Sequence, residues 1–325
     1  MATQWKIEKV LGSGTYGIVY LATFPTLPPI AIKSSVFSKS ASLQREKIIL
    51  QILKGCPEII RCFGFEEMIA KDEKYYNLFL EYAPGGTLED LIKKRGGKLS
   101  EPEVRVYSRM ILKGLHYIHE KGFVHCDIKP ANILVFPTSS VPCRCGVENN
   151  RVKIADFGLA KRAGKGDIYV SGGLDDYRGT PLYTSPESVA LGLNEAPMDI
   201  WSLGCVMVEM LTGKPVWSNI DGDLNDLLFE IGFGGEEEPE IPEGFSANAT
   251  DFLIRCLVRE PSERWTAKML LNHPFMVEHQ PLPSSLKKAS KLVQLHPFNN
   301  RHDAELISSL LINQQLKGVH AVAPS

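Results

Sequence analysis

The densest group of reactive side chains in the sequence is His125-Cys-Asp-Ile-Lys-Pro-Ala-Asn132. An acid, a lysine two residues on and an amide five residues on, inside a proline-containing turn, form a compact polar cluster. Asp127 is suited to accept a hydroxyl proton, Lys129 to neutralise a transferring phosphoryl group, and Asn132 to bind a metal ion. Ile154-Ala-Asp-Phe-Gly158 adds a second carboxylate, Asp156, at the end of an expected strand. Oxygen ligands from Asn132 and Asp156 suit magnesium, which takes a few protein ligands and completes its shell with nucleotide phosphates.

Three further signals lie upstream. Gly12-Ser-Gly-Thr-Tyr-Gly17 spaces glycines so that backbone N–H groups can approach phosphate oxygens without Cβ interference. Alone, this pattern fits a dinucleotide site or a plain hairpin turn. A dinucleotide site needs a helix opening within the motif, whereas Ile18-Val-Tyr-Leu-Ala22 continues as strand, which favours a glycine-rich hairpin lid. Lys33 follows in Ile-Ala-Ile-Lys; by itself it reads as a solvated strand lysine. A lysine that faces phosphates needs a carboxylate to hold it, and Glu46 lies on the next expected helix.

The elements that must position these groups change character along the chain. Trp5 to Val19 reads as two strands about a tight turn, followed by strands at Ile30–Lys33 and Tyr76–Tyr82 and a helix from Ser42 to Lys54. Beyond Gly86 helices dominate, with an apolar stripe over Glu101–Glu120 and a nearly all-apolar run over Asp199–Leu211. Ile133–Phe136 and Val152–Ala155 read as two short strands flanking a loop. Strands first and helices later predict an α+β protein of two unequal lobes. Lys and Arg total 36 against 38 Asp and Glu, so no strong field favours nucleic acid or anionic membrane. Seven scattered cysteines fit reduced thiols, and no apolar run approaches the roughly 20 residues of a membrane span. A protein of the cytoplasm or nucleus is expected.

Taken in order, the glycine-rich loop, strand lysine, helix glutamate, His-x-Asp…Asn, Asp-Phe-Gly and Pro-Glu motifs resemble those of eukaryotic protein kinases. Ser185-Pro-Glu187, Asp199-Ile-Trp-Ser-Leu-Gly204 and Arg264 extend the resemblance over about Trp5 to Met276. It implies a bilobal kinase domain over 5–277, with a small mostly-β lobe to about residue 83 and a larger mostly-α lobe. Residues 278–325 would form a tail, with helical spacing from Asp303 to Leu316. The implied cofactors are ATP and magnesium, for which manganese can substitute. Leu11, Gly12, Ser13, Gly14, Thr15, Tyr16 and Gly17 would cover the phosphates, and Lys33, held by Glu46, would contact them. Val19, Ala31 and Leu134 would sandwich adenine, with Leu80 behind it and backbone groups of Glu81 and Ala83 at its edge. Asp127 would be the base, Lys129 a γ-phosphate contact, and Asn132 with Asp156 the metal ligands. Glu187 and Arg264 would form a structural ion pair.

Lys129 and Gly179-Thr-Pro181 resemble serine/threonine kinases, and Gly-Thr-Pro-Leu-Tyr-Thr-Ser-Pro-Glu is similar to the MEKK-like MAP kinase kinase kinases. The Val-His-Cys-Asp-Ile-Lys run and compact layout look most like the plant members of that group. MAP kinase kinases are therefore the implied protein substrates. A kinase of another signalling branch and a pseudokinase scaffold are the alternatives, the latter opposed by Lys33, Asp127 and Asp156. Tyr169, Ser171, Tyr177 and Thr180 are candidate phosphorylation sites between Asp156 and Glu187, although the Thr180 hydroxyl is also expected near Asp127 and Lys129. Cys126 replaces the arginine that usually pairs with a phosphate there, and a thiol cannot supply such charge-assisted bonds. It reads better as a buried thiol than as a redox centre. Cys143-Arg-Cys145 falls short of a four-ligand metal site, and Glu236-Glu-Glu238 reads as a solvated acidic loop.

Overall fold

Strand-forming residues on either side of a glycine turn open the fold in the computed structural model. It describes residues 5–14, 17–23, 28–70, 72–138, 150–164, 178–218, 220, 222–234, 239, 241 and 243–277. β1 (Lys6–Gly14), β2 (Gly17–Thr23) and β3 (Ile30–Val36) are followed by helix α1 (Ala41–Ile52), then β4 (Cys62–Ala70) and β5 (Glu73–Glu81). They form one antiparallel sheet in the order β1-β2-β3-β5-β4. Leu43, Ile49 and Leu50 of α1 are buried with Leu78 and Leu80 of β5 in the main core.

Helices take over beyond the sheet. α2 (Leu88–Lys94) starts at a capping box in which Thr87 and Asp90 satisfy each other's backbone N–H. α3 (Glu101–Glu120) starts at a second one, from Ser100 and Glu103, and buries Val104, Tyr107, Ile111, Leu115 and Ile118 on one face. Short strands β6 (Phe123–Val124), β7 (Ile133–Pro137), β8 (Asn150–Ile154) and β9 (Lys161–Arg162) pair as β6-β9 and β7-β8. α4 (Pro186–Leu191), α5 (Ala196–Thr212), α6 (Leu224–Phe233), α7 (Ala247–Cys256) and α8 (Ala267–Leu271) complete the unit, which ends at Val277. α5 is buried almost all round, as its composition demands. The sheet region and helical region are stitched at Ile154, whose N–H donates to Glu58 O and whose carbonyl accepts from Ile60 N.

The strand-rich then helix-rich order follows the expectation, and α3 has the expected ends. The sheet gains β4, and the helical region gains α2, α4, α6, α7 and α8, none of which the periodicity singled out. The tail segment 303–316, Cys143, Cys145 and Glu236–Glu238 lie outside the described residues.

Arg264 and Glu187 form the expected buried pair, at 2.7 and 3.0 Å in bidentate geometry. The other guanidinium donors bond the carbonyls of Val258, Pro197 and Arg259, so all five N–H groups of Arg264 are satisfied. Removing one partner strands a buried charge, so Arg264→Ala is expected to lower unfolding free energy by about 3–5 kcal/mol in urea titration. The double variant Glu187→Gln/Arg264→Met is expected to lose less than that single variant. A loss near zero for Arg264→Ala would refute the structural role.

Candidate active site

The alternation of β3 puts Ala31 and Lys33 on one face of the sheet. Val19 lies opposite Lys33 on β2, and Leu80 lies opposite Ala31 on β5. The Lys33 ammonium reaches Glu46 Oε2 and Asp156 Oδ1, each at 2.8 Å. Glu46 is fully buried, and its other oxygen accepts the N–H of Phe157 at 3.1 Å. One carboxylate thus ties α1 to the sheet and to the Asp-Phe-Gly turn. Burial alone would lower the Lys33 pKa, but the charges of Glu46 and Asp156 outweigh it and hold it raised. Burial pushes Glu46 up against the opposing pull of Lys33. Asp156 is pushed up by burial, but Lys33 prevails and holds it below its ordinary value.

The Asp127 loop hangs from a second buried carboxylate, Asp199 of α5. Asp199 accepts the N–H groups of His125 and Cys126, both at 2.9 Å, and the ring N–H of His119 at 2.8 Å. Cys126 has φ +67°, an unfavourable region for a side chain with a Cβ, and these bonds hold it there. His125 Nδ1 accepts the Asp127 N–H at 3.2 Å, so Nε2 carries the proton and donates to Ala155 O at 3.1 Å. Its ring packs edge-on against Phe157 with centroids 4.7 Å apart. Asp127 is left with its carboxylate facing Lys129 Nζ at 2.9 Å, Asn132 Nδ2 at 2.8 Å and the Thr180 hydroxyl at 2.8 Å. Lys129 also bonds that hydroxyl at 2.7 Å. The cluster therefore already presents a threonine hydroxyl donating to Asp127 while a lysine ammonium stands beside it.

On the nucleotide-facing side, Gly17 has φ +128°, and a Cβ there would lie 2.1 Å from Ser34 O, so only glycine fits. Gly12 and Gly14 have open space at that position. Ser13 pairs with Ile18 across the hairpin, and Leu11 is exposed; Thr15 and Tyr16 lie outside the described residues. Ala31 and Leu80 are buried, with Val19 and Leu134 packed against the same core. The Glu81 side chain turns away to bond Lys153 at 2.6 and 2.8 Å. Among the described residues the N–H of Ala83 meets no acceptor, which leaves it available to a ligand.

The donor set fits a divalent metal that arrives with a nucleotide. Asn132 points its NH2 at Asp127, so its amide oxygen is the free donor. Asp156 Oδ1 accepts from Lys33 and Gly158, leaving Oδ2. Among the described residues no group of three or more His, Cys, Asp or Glu could hold an ion by protein ligands alone. Two hard oxygens with phosphate completing the shell match magnesium-like ions.

Three contributors were not assigned by sequence reasoning. Asp199 was recognised only as part of a motif. Gly179 has φ +112°, and a Cβ on it would lie 2.6 Å from Cys126 O, so the segment can pass the Asp127 loop only with glycine there. Glu195, just before α5, accepts from Lys161 Nζ at 3.1 Å and from the Gly164 N–H at 3.0 and 3.1 Å. A fixed carboxylate thus fastens the start of the segment after Asp-Phe-Gly. A lone glutamate preceding Ala-Pro at a helix start carries little sequence signal.

Cys126 is buried, its thiol faces Val124 O at 3.7 Å, and burial pushes its pKa well up. It is an inert core thiol rather than a redox group. Of the four candidate phosphorylation sites, Tyr169, Ser171 and Tyr177 lie outside the described residues. A phosphate on Thr180 would set negative charge against the Asp127 carboxylate.

A protein kinase domain model matches residues 5–276. Mitogen-activated protein kinase kinase kinase 20 of Arabidopsis thaliana is 45% identical over 84% of this chain and 78% of its own length. Kinase kinase kinases 17 and 18 of the same plant are 42% and 40% identical, over 69% and 78% of their lengths. The chain belongs to the protein kinase family. It is a protein serine/threonine kinase that uses ATP and a divalent metal.

Protonating Glu46 would remove its charge pair with Lys33. A raised folded-state pKa means that its protonation favours the folded state, a contribution present at low pH and lost as pH rises through that value. Activity is therefore expected to fall on acidification with a midpoint above the ordinary 4.5 of glutamate, before circular dichroism changes. Simultaneous loss of both signals would contradict this. Lys33→Met is expected to cost about 10²–10³ in kcat while the protein stays folded; near-normal turnover would remove Lys33 from the machinery.

Proposed function

We propose that this kinase is a MAP kinase kinase kinase that phosphorylates Ser/Thr residues of MAP kinase kinases, with magnesium as its preferred metal and manganese able to replace it. The observation that carries the chemistry is the Asp127 carboxylate accepting a threonine hydroxyl 2.8 Å away. In catalysis the target hydroxyl takes that place. Asp127 orients it and accepts its proton as the oxygen bonds to the γ-phosphorus and the bond from that phosphorus to the β,γ-bridging oxygen breaks, releasing ADP, and Lys129 balances charge on the moving phosphoryl group. Lys33, fixed by Glu46, holds the α- and β-phosphates beneath the glycine-rich strands that carry Gly12, Gly14 and Gly17. Leu80, Ala31, Val19 and Leu134 hold adenine against the backbone of Glu81 and Ala83. Asn132 and Asp156 would hold the metal, which neutralises phosphate charge when bound.

The names of the plant relatives support the substrate assignment, and the groove beside Thr180 agrees with it. Pro181, Leu182, Trp217, Ile220 and Leu227 line a groove of about 460 Å³, suited to an apolar or small residue after the phosphorylated one. Thr87 is committed to the α2 cap, and Ala131 has no charge to offer a guanidinium. Glu209 Oε2 accepts the Tyr183 hydroxyl at 2.5 Å, and burial pushes its pKa up. Neither Thr87 nor Ala131 offers a carboxylate to neutralise an upstream arginine. Glu195 fastening Lys161 supports activity without the arginine–phosphate clamp that Cys126 forgoes. The free cysteines support work in the reducing cytoplasm or nucleus.

A panel of purified MAP kinase kinases and arginine-directed peptides tests the reading. Folded MAP kinase kinases are expected to be phosphorylated on Ser/Thr far faster than any such peptide. A peptide library showing dominant arginine preference two or three residues upstream of the target would overturn it.

A further inference from the structure

On the side of α1 away from the Asp127 cluster, the end of α1, the loop to β4 and strand β8 enclose a groove of about 800 Å³. Its apolar surface is offered by Cys56, Pro57, Cys62 and Phe63, which lie over the buried Leu50, Leu53 and Ile59. Its walls carry Lys54, Arg61, Arg151 and Lys153, and among the described residues no Asp or Glu lines it. Lys153 is neutralised by Glu81. Lys54, Arg61 and Arg151 are exposed and form no ion pair among the described residues, so there three cations stand uncompensated around an apolar trough. Phe63 rises beside them, 54% exposed, with the Arg61 guanidinium stacked on its ring at 5.7 Å. Aromatic and arginine side chains are the types enriched at protein–protein interfaces.

The backbone supplies a third feature. β4 begins at Cys62 and is an edge strand, with β5 as its single neighbour among the described residues. Its outer N–H and C=O groups can pair with an added strand. In an extended segment alternate side chains face opposite ways, so one row can meet the apolar surface while the other meets the cations.

We infer that this groove docks an extended segment of a partner protein in which Asp or Glu alternates with Leu, Ile or Phe. The charge of the walls selects the acidic row and the apolar surface selects the apolar row. A free phosphate or nucleotide would leave the apolar surface unused, and a basic segment would be repelled. None of the groove's uncompensated cations belongs to the phosphotransfer cluster, so docking and chemistry are separable by mutation.

The test selects a displayed library of random twelve-residue peptides against the full-length protein, then synthesises the enriched sequences. Enrichment of alternating acidic and apolar residues is expected. Such a peptide is expected to bind the wild type at least about tenfold more tightly than the charge-reversed Lys54→Glu/Arg151→Glu variant, and to weaken as salt rises. Phe63→Ser is expected to weaken binding without changing that salt dependence. Unchanged phosphorylation of a short peptide substrate by each variant reports an intact fold. Absence of enrichment, enriched sequences without acids, or equal binding to the charge-reversed variant would overturn the proposal.

Discussion

The site depends on a carboxylate that has been taken entirely out of water. Glu46 is stable there because one oxygen meets the Lys33 ammonium and the other meets the Phe157 N–H. Each partner sits on a different element, so satisfying this one group fixes α1 against β3 and against the Asp-Phe-Gly turn. An unpaired carboxylate in that position would cost several kcal/mol or be neutralised. The arrangement is therefore close to all-or-none: with the pair formed, Lys33 and Asp156 face one another, and without it neither is positioned. The same economy explains why Lys33 stays charged despite its burial.

Asp199 performs the matching task in the helical region. By accepting two successive backbone N–H groups it stabilises a left-handed residue, Cys126, which turns the Asp127 carboxylate toward Lys129 and Thr180. Gly179 lets the returning segment cross that turn, and Glu195 fastens the segment's start through Lys161 and Gly164. Both anchors belong to or adjoin α5, the most buried helix. Function at the cleft thus rests on rigidity in the core behind it, and the Arg264–Glu187 pair holds the segment's far end to the same body.

Residues that do chemistry were legible because their types are dictated by the reaction. An acid takes a proton, a lysine balances phosphoryl charge and an amide holds a metal, and the structure brings Lys129 and Asn132 each within bonding distance of Asp127. The strand-to-helix order was legible from periodicity, as was α3 from its apolar stripe. β4 was missed because Cys62-Phe-Gly-Phe-Glu-Glu breaks the alternation with a glycine and adjacent acids, as an edge strand tolerates. The short helices carry too few turns for a periodic signal; Thr87…Asp90 and Asp223…Asp226 caps were their readable marks. Supporting roles such as those of Asp199 and Glu195 depend on contacts across 73 and 34 residues of chain, which no local pattern encodes.

The central claim is that the hydroxyl bonded to Asp127 marks where the phosphoryl acceptor reacts. Single-turnover phosphotransfer by Asp127→Asn, with nucleotide binding measured alongside, addresses it most directly. The asparagine keeps the shape but cannot take a proton. The rate is expected to fall by about 10²–10⁴ with nucleotide affinity retained. A folded variant that binds nucleotide and turns over near the wild-type rate would contradict the account.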